Sequence, residues 1–410
     1  MIYQIEVENF FSIKERQVID LRVSGKVPDD FGCFAPIFPA APTRAPKIVA
    51  LFGANASGKT NVLAALAFVV HFFRQYGFSK EISVRKDVYI SQFNHSDSAA
   101  RPVKFALEFA AIMNATAELA ERFQRGEQVP FGTCRYELEL IMTNGEIKAV
   151  SHESLRQRPD DRGKWQRIFE REGQETVKGS PMFPIEGFKH LLTTLDPRES
   201  IVASFSQFNH PGAKYWQEIA KSVNFMIENH PLLMDEAVIR SFYHDSDMLR
   251  KLNDNLQKID VGIDGMHIEM SGTGTLAKFK HNALEHELPW YRVSHGTRAF
   301  IRMYPLIAKT LETGGVAVID ELSAALHPLV ENEILGWFRD PECNPRNAQL
   351  WCSGHAVTLM DDLRREEIIF CEKDRQGRTS LFGARDIARS DDNMRRKYLS
   401  GIYGAVPQIG

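Results

Sequence analysis

Apolar residues in this chain recur at two spacings, and the changeovers between them divide it into parts. Tyr3 to Val7 alternates apolar and polar positions, and Gln17 to Val23 does the same, so the two read as a strand and its hairpin partner. Pro28 to Pro46 is rich in proline, alanine and glycine and reads as a loop. Lys47-Ile48-Val49-Ala50-Leu51-Phe52 is a short apolar run, as a buried strand should be, and Asn61 to Val70 reads as a helix packed on a sheet. Val103 to Phe109 and Cys134 to Ile141 return to period two, and Asn144-Gly145 supplies a tight turn into Ile147 to Val150. Between Gly179 and about Met270 the spacing becomes mostly helical, as in Tyr215, Trp216, Ile219, Ala220, Val223 and Ile227. From Tyr291 onward strands and helices alternate again. Short buried strands interleaved with helices predict an α/β fold, interrupted by hairpins and a helical section.

Gly53-Ala54-Asn55-Ala56-Ser57-Gly58-Lys59-Thr60 fills the template G-x-x-x-x-G-K-[ST], with Asn61 directly after it. The loop stands between the first buried strand and the first helix, where successive backbone N–H groups and a helix N-terminus can surround a polyphosphate. Lys59 would reach the β- and γ-phosphates and the Thr60 hydroxyl would ligate Mg²⁺, which makes ATP the expected ligand. Farther on, Gly315-Val316-Ala317-Val318-Ile319-Asp320-Glu321 is a buried parallel strand ending in two carboxylates. Phosphoryl transfer needs a metal-holding group and a water-positioning group, so Asp320 is the expected magnesium residue and Glu321 the base. Gln349 to Cys352 is another apolar strand, followed by Ser353, Gly354 and His355; an imidazole at that edge can hydrogen-bond a γ-phosphate and register its loss. Ser294-His295-Gly296 opens the apolar helix Ala299 to Leu311 and offers a hydroxyl, free N–H groups and a positive dipole end to an anion.

Composition narrows the setting. At 410 residues the chain exceeds one ordinary domain. A formal net charge of −3 gives no overall attraction to nucleic acid or membrane. Cys33, Cys134, Cys343, Cys352 and Cys371 form no C-x-x-C pair and read as reduced thiols. Met1 to Glu8 lacks a signal-peptide pattern and no apolar run approaches a membrane span, so a cytoplasmic protein without membrane contact is expected. Arg156, Arg158, Arg162, Lys164, Arg167 and Arg171 make a basic stretch. Asp160, Asp161, Glu170 and Glu172 interleave with it, which favours a solvated hairpin over a phosphate-binding surface.

The order of phosphate loop, long insertion, Ser-x-Gly turn, Asp-Glu strand and histidine resembles the ABC-like ATPases of the OLD-related AAA family, cousins of the SMC and RecF heads. The phrases that carry it are Gly53 to Asn61, Ser294-His295-Gly296-Thr297-Arg298, Val318-Ile319-Asp320-Glu321-Leu322 with Leu326-His327-Pro328, and the tail Tyr398-Leu399-Ser400-Gly401-Ile402-Tyr403-Gly404-Ala405-Val406-Pro407. It covers residues 1 to about 75 and about 290 to 410. The resemblance implies an ABC-type phosphate-loop head with a mixed β-sheet and flanking helices, split into residues 1–80 and 291–410. Residues 81–290 would be an inserted α+β region whose helical arm runs from about 180 to 270. It also implies that Ser294 and Gly296 contact the γ-phosphate held by a partner copy, so that two heads close head to tail around two Mg·ATP, with the Leu322 to Pro328 segment, which holds Ser323 and His327, as a dimer-contacting D-loop.

Departures from the pattern are Ser323, where relatives often carry an acid, Ser353-Gly354-His355 for the common Thr-Thr-His, and His295 at the variable signature position. Gln92 is the candidate for the glutamine that links magnesium to the arm. Relatives are frequently bacterial anti-phage ATPases that act as sensors for a separately encoded effector, often a nuclease, and this is the function the resemblance implies. A Toprim nuclease is not expected after His355, because Asp361-Asp362 and Asp391-Asp392 are adjacent pairs rather than D-x-D. The alternative is a RecF- or SMC-like DNA-maintenance ATPase that clamps DNA, so a nucleic-acid contact stays open. The insertion lacks the sustained heptads of an SMC tether.

Overall fold

The computed structural model describes residues 1–29, 31–75, 77, 90–159, 163–174, 176–227, 231–260, 262–272, 274–389 and 392–407. Its α/β architecture rests on two large sheets. The antiparallel one orders its seven strands as Thr176–Gly179, Gln166–Glu172, Glu146–Arg158, Phe131–Thr143, Val103–Ile112, Ile2–Glu8 and Gln17–Asp20. Asn144 and Gly145, with φ of 53° and 79°, turn the longest hairpin, the left-handed pair that a two-residue connection needs to match strand twist.

The second sheet orders six strands as Val223–Met226, Val316–Ile319, Gln349–Ser353, Ile48–Phe52, Ile368–Lys373 and Thr379–Gly383. All its pairings are parallel except the last. The strand period of two explains its central position. Val49 and Leu51 face one core while Ile48, Ala50 and Phe52 face the other. The helix Lys59–Arg74 lies in the first core, where Val62, Leu66 and Val69 meet Val7, Phe105 and Leu138 of the antiparallel sheet and Val318 and Trp351 of the parallel one. Apolar residues around most of its circumference follow from that burial between layers. The opposite core packs Phe300 and Ile307 of the helix His295–Thr313, and Ile334 and Phe338 of the helix Pro328–Arg339. A three-stranded sheet (Ile263–Ser271, Gly274–His281, Leu288–Pro289) and the helix Ser246–Ile259 extend that core.

Three expectations about secondary structure differ from what is found. Val223 and Ile227 do not continue the helix of Tyr215 and Trp216. That helix, Pro211–Ala220, stops, and Val223–Met226 becomes a strand parallel to Val316–Ile319. Bonds from Val316 N–H to Ser222 O and from Asp320 N–H to Met226 O, both 2.9 Å, supply the pairing, which a local periodicity cannot register. Ile263–Ser271 is likewise a strand in a stretch read as mostly helical. Within the expected loop, Phe34–Pro36 and Arg44–Pro46 form a small hairpin.

The basic stretch does lie on a hairpin, with Arg156 3.2 Å and Arg167 3.8 Å from Glu170, and Arg158 over the Trp165 ring. Arg171 is not solvated. It is fully buried beside Glu153 and donates to the carbonyls of Gly173 and Glu199. Arg162, Asp160 and Asp161 lie outside the described residues. Among those described, no helix is long and apolar enough to cross a membrane.

Candidate active site

Parallel pairing aligns the C-terminal ends of three strands. Ile319 sits opposite Cys352, and Ser353 opposite Leu51, so the segments after each strand emerge along one edge. That edge is where open α/β sheets place ligands. A cleft of about 460 Å³ opens there, lined by Asn55 to Asn61, Asp320, Glu321, Ser353, His355 and Lys373.

The phosphate loop is held from outside by residues distant in sequence. Thr379 Oγ1 donates to Ser57 O at 2.8 Å, and its backbone N–H donates to Ser12 O at 2.7 Å. Because that hydroxyl proton is committed to Ser57, the Ser12 hydroxyl donates to Thr379 Oγ1 at 2.7 Å and accepts from Asn61 Nδ2 at 2.6 Å. Gly58, at φ 108°, lies so near that a Cβ would stand 2.4 Å from Thr379 Oγ1. On the other side Ala54 N–H donates to Ala405 O at 2.9 Å, and Tyr398 O–H donates to the same oxygen at 3.1 Å. The C-terminal tail is therefore a wall of the loop.

Lys59 is buried, with Nζ donating to Gly53 O at 2.9 Å and Ala54 O at 3.0 Å. Burial pulls its pKa below the ordinary lysine value, against the opposing pull of Cys371, Asp320 and Glu321. Asp320 directly follows the strand Val316–Ile319 and accepts a hydrogen bond from the Ser353 hydroxyl. The same Ser353 oxygen accepts from Glu321 N–H at 2.8 Å. Glu321 has φ 53°, the left-handed region, so the backbone turns sharply just where its carboxylate enters the cleft. Burial, then the Lys59 charge, lowers the His355 pKa below the usual 6.5, and Glu321 and Asp320 act the other way. Thr60 and Asp320 offer oxygen ligands only, a donor set that fits a hard cation such as Mg²⁺ whose other positions go to water and phosphate.

Ser294 and Gly296 are not among the residues lining this cleft. They begin the helix His295–Thr313, where Ser294 Oγ accepts from Thr297 N–H at 3.1 Å. Gly296 abuts the following loop, a Cβ there standing 2.9 Å from Ala325 O. The Ser-x-Gly turn and the Ser323 to His327 segment thus form one surface of the same copy. Two of the departures noted in the sequence also touch, since a Cβ on Gly354 would stand 2.4 Å from Ser323 Oγ.

Gln92 does not line the cleft; its amide donates to the carbonyls of Ser98, Ala99 and Arg101. Asp361 pairs with Arg395, Asp362 accepts from Asn332, and Asp392 engages Lys397 and Tyr403, so these carboxylates do not converge. Asp391 lies outside the described residues. His267, Glu269 and Glu287 approach one another on the three-stranded sheet, but Lys278 already neutralises Glu269 at 2.6 Å. Ser353, Thr379, Lys373 and the Ala405 carbonyl were not singled out from the sequence as parts of the site. Ser353 carried the only local signal, as a hydroxyl two residues before His355.

Residues 193–361 match the family model described as AAA domain, putative AbiEii toxin, Type IV TA system. That span holds the Ser-x-Gly turn, Asp320, Glu321 and His355, and leaves the phosphate loop outside it. No curated protein matches. Among solved structures, an SMC head bound to the C-terminal winged-helix domain of ScpA is similar at 13% identity and TM-score 0.42, covering 93% of this chain and 96% of that one. The SMC head domain from Thermotoga maritima is similar at 12% identity and TM-score 0.40, covering 93% and 98%. An Smc head with an extended coiled coil, bound to the C-terminal domain of ScpA derived from Pyrococcus furiosus, gives 12% and 0.42 over 98% and 99%.

Proposed function

We propose that this chain is an ABC-like ATPase that binds and hydrolyses ATP between two head-to-tail copies and regulates a separately encoded effector, a nuclease or toxin, in anti-phage defence. The convergence of Asn55 to Asn61, Asp320, Glu321, Ser353 and His355 on one cleft carries this reading. Loop N–H groups and Lys59 bind the phosphates, for which Lys59 exchanges the Gly53 and Ala54 carbonyls it now meets. Thr60 and Asp320 would hold Mg²⁺, which supplies charge neutralisation on the phosphate oxygens. Glu321 orients the attacking water, and His355, whose pKa burial and the Lys59 charge lower, hydrogen-bonds the γ-phosphate. The position of Ser294 and Gly296 outside their own cleft supports their use on a partner's nucleotide. The heads would comprise residues 1–80 and 291–410. Within the insertion 81–290, the strands from Val103 to Gly179 join the sheet of Ile2–Glu8, and Val223–Met226 joins that of Val316–Ile319. The moving part would then be the helical arm, about 180 to 270, outside that strand. The matched family's description names a putative toxin of a Type IV TA system, which supports a role beside a separately encoded protein. Among the described residues of the basic stretch, Arg156, Arg167 and Arg171 are engaged in ion pairs, which counts against that stretch as the phosphate surface of a DNA clamp.

Glu321→Gln should bind ATP, turn over at least about a hundredfold slower and accumulate as a pair of heads, while Lys59→Ala should not bind nucleotide. Wild-type turnover by Glu321→Gln would remove the base. Ser294→Arg should bind ATP as a single copy without pairing; unchanged pairing and turnover would remove the composite site.

A further inference from the structure

We propose that Asp260 is a brake on the Ser294 hydroxyl, a positioning residue through which the insertion controls whether that serine can meet a phosphate. The inference rests on the two-copy ATPase reading. Asp260 closes the helix Ser246–Ile259, its N–H donating to Leu256 O at 2.9 Å. A carboxylate at a helix C-terminus opposes the dipole of its own helix, so its helix gains nothing from it. It turns instead to the start of the helix His295–Thr313, where the Thr297 hydroxyl donates to it.

The protons follow from that contact. A carboxylate only accepts, so the Thr297 proton is spent on Asp260. Thr297 Oγ1 is 2.6 Å from Ser294 Oγ and has only lone pairs left, so in that pair Ser294 donates. Thr297 is 4% exposed, which keeps water away from its own hydroxyl oxygen, whereas Ser294 is exposed and open to an approaching ligand. The chain Ser294 to Thr297 to Asp260 therefore turns the serine proton inward. A phosphate oxygen also only accepts, and it must win that proton from Thr297. Withdrawing Asp260, by a shift of the helix Ser246–Ile259, lets Thr297 donate to Ser294 instead and frees the serine proton for the phosphate. Removing its negative charge acts in the same direction on an approaching anion.

A purely structural role and a brake predict opposite signs. In a Glu321→Gln background, pairing is followed by light scattering as ATP is titrated. Asp260→Asn, whose amide can donate to Thr297 Oγ1, should lower the ATP needed for half-maximal pairing about five- to tenfold. Thr297→Val should do the same, Thr297→Ser should match the parent, and adding Ser294→Ala should erase the effect of Asp260→Asn. Circular dichroism checks the fold, and Thr297→Val carries the test if Asp260→Asn does not fold. Unchanged or weaker pairing, or an Asp260→Asn effect that survives Ser294→Ala, overturns the brake alone. If the Glu321→Gln parent never pairs with ATP, the two-copy reading falls and the brake with it.

Discussion

Thr379→Val tests whether the phosphate loop is shaped from outside itself. Valine keeps the branched shape, so no cavity opens, and only the hydroxyl is lost. In the protein that hydroxyl donates to Ser57 O at 2.8 Å and accepts from Ser12 at 2.7 Å, at a residue 2% exposed. The Ser12 hydroxyl can rotate toward another acceptor. The Ser57 carbonyl has a fixed direction and bears the loss. An unsatisfied buried polar group costs about 1–3 kcal/mol, so the variant should lose about 2 kcal/mol of stability. If the loop relaxes to recover part of this, about 1.4 kcal/mol of preorganisation goes with it and ATP binding weakens about tenfold. Calorimetric titration with ATP in the Glu321→Gln background, beside a thermal melt, reads both quantities. Thr379→Ser should restore them, because it returns the hydroxyl. Affinity within about twofold of the parent, together with an unchanged melt, would refute the claim that this contact shapes the loop.

Other consequences are equally direct. Glu331 is 1% exposed, neither of its carboxylate oxygens has a hydrogen-bond partner among the described residues, and burial lifts its pKa from 4.5 to about 7. The folded protein holds that proton more tightly than the unfolded chain, so stability falls as pH rises through this window and stays lower above it. Glu331→Gln should recover about 2–3 kcal/mol at about pH 8 and little near pH 5, read from melts; equal gains at both would refute it. Gly354→Thr should cost about 1–3 kcal/mol and slow turnover through displacement of Ser323, and Ser323→Gly should relieve both effects. A penalty indifferent to Ser323 would show that the clash lies elsewhere. Removing the Lys59 charge by Lys59→Ala should raise the His355 titration midpoint followed by NMR, since that charge lowers it; an unmoved midpoint would discount the Lys59 influence.

The parts of the site that were legible in the sequence are those written in contiguous residues. Strand, loop and helix from Ile48 to Arg74 follow one another without a break, and Val316 to Glu321 announces its own buried edge. What supports the loop was not legible, because it comes from Ser12, Thr379 and Ala405, far off in the chain, and one of the supports is a backbone carbonyl that no residue type encodes. Val223–Met226 was misread for a related reason. Four residues carry too little pattern to separate strand from helix, and the neighbour that decides lies at Val316. Ser323 and Gly354 each looked like an independent departure from the family pattern. Their contact makes them one, since the space a Thr side chain would fill at 354 is taken by the Ser323 hydroxyl.

Ser353 explains how chemistry in the cleft could reach the surface offered to a partner. Its hydroxyl donates to Asp320 and receives Glu321 N–H, while its carbonyl receives Leu322 N–H at 3.0 Å. One residue therefore fixes the orientation of the proposed metal carboxylate, the backbone of the proposed base and the first residue of the segment leading to Ala325. That segment ends against Gly296. On the two-copy reading, a cation that draws the Asp320 oxygens toward itself competes with the Ser353 hydroxyl, and a change at Ser353 is passed to Leu322 and on to the loop beside Gly296. The path needs no contact between a copy's own cleft and its own Ser-x-Gly turn. Asp260 enters the same turn from the opposite side, through Thr297. The Ser-x-Gly turn thus has contacts both to the segment leading from the cleft and to Asp260, and on the proposed two-copy reading this is the connection required for ATP occupancy in one copy and partner binding on the insertion to influence each other.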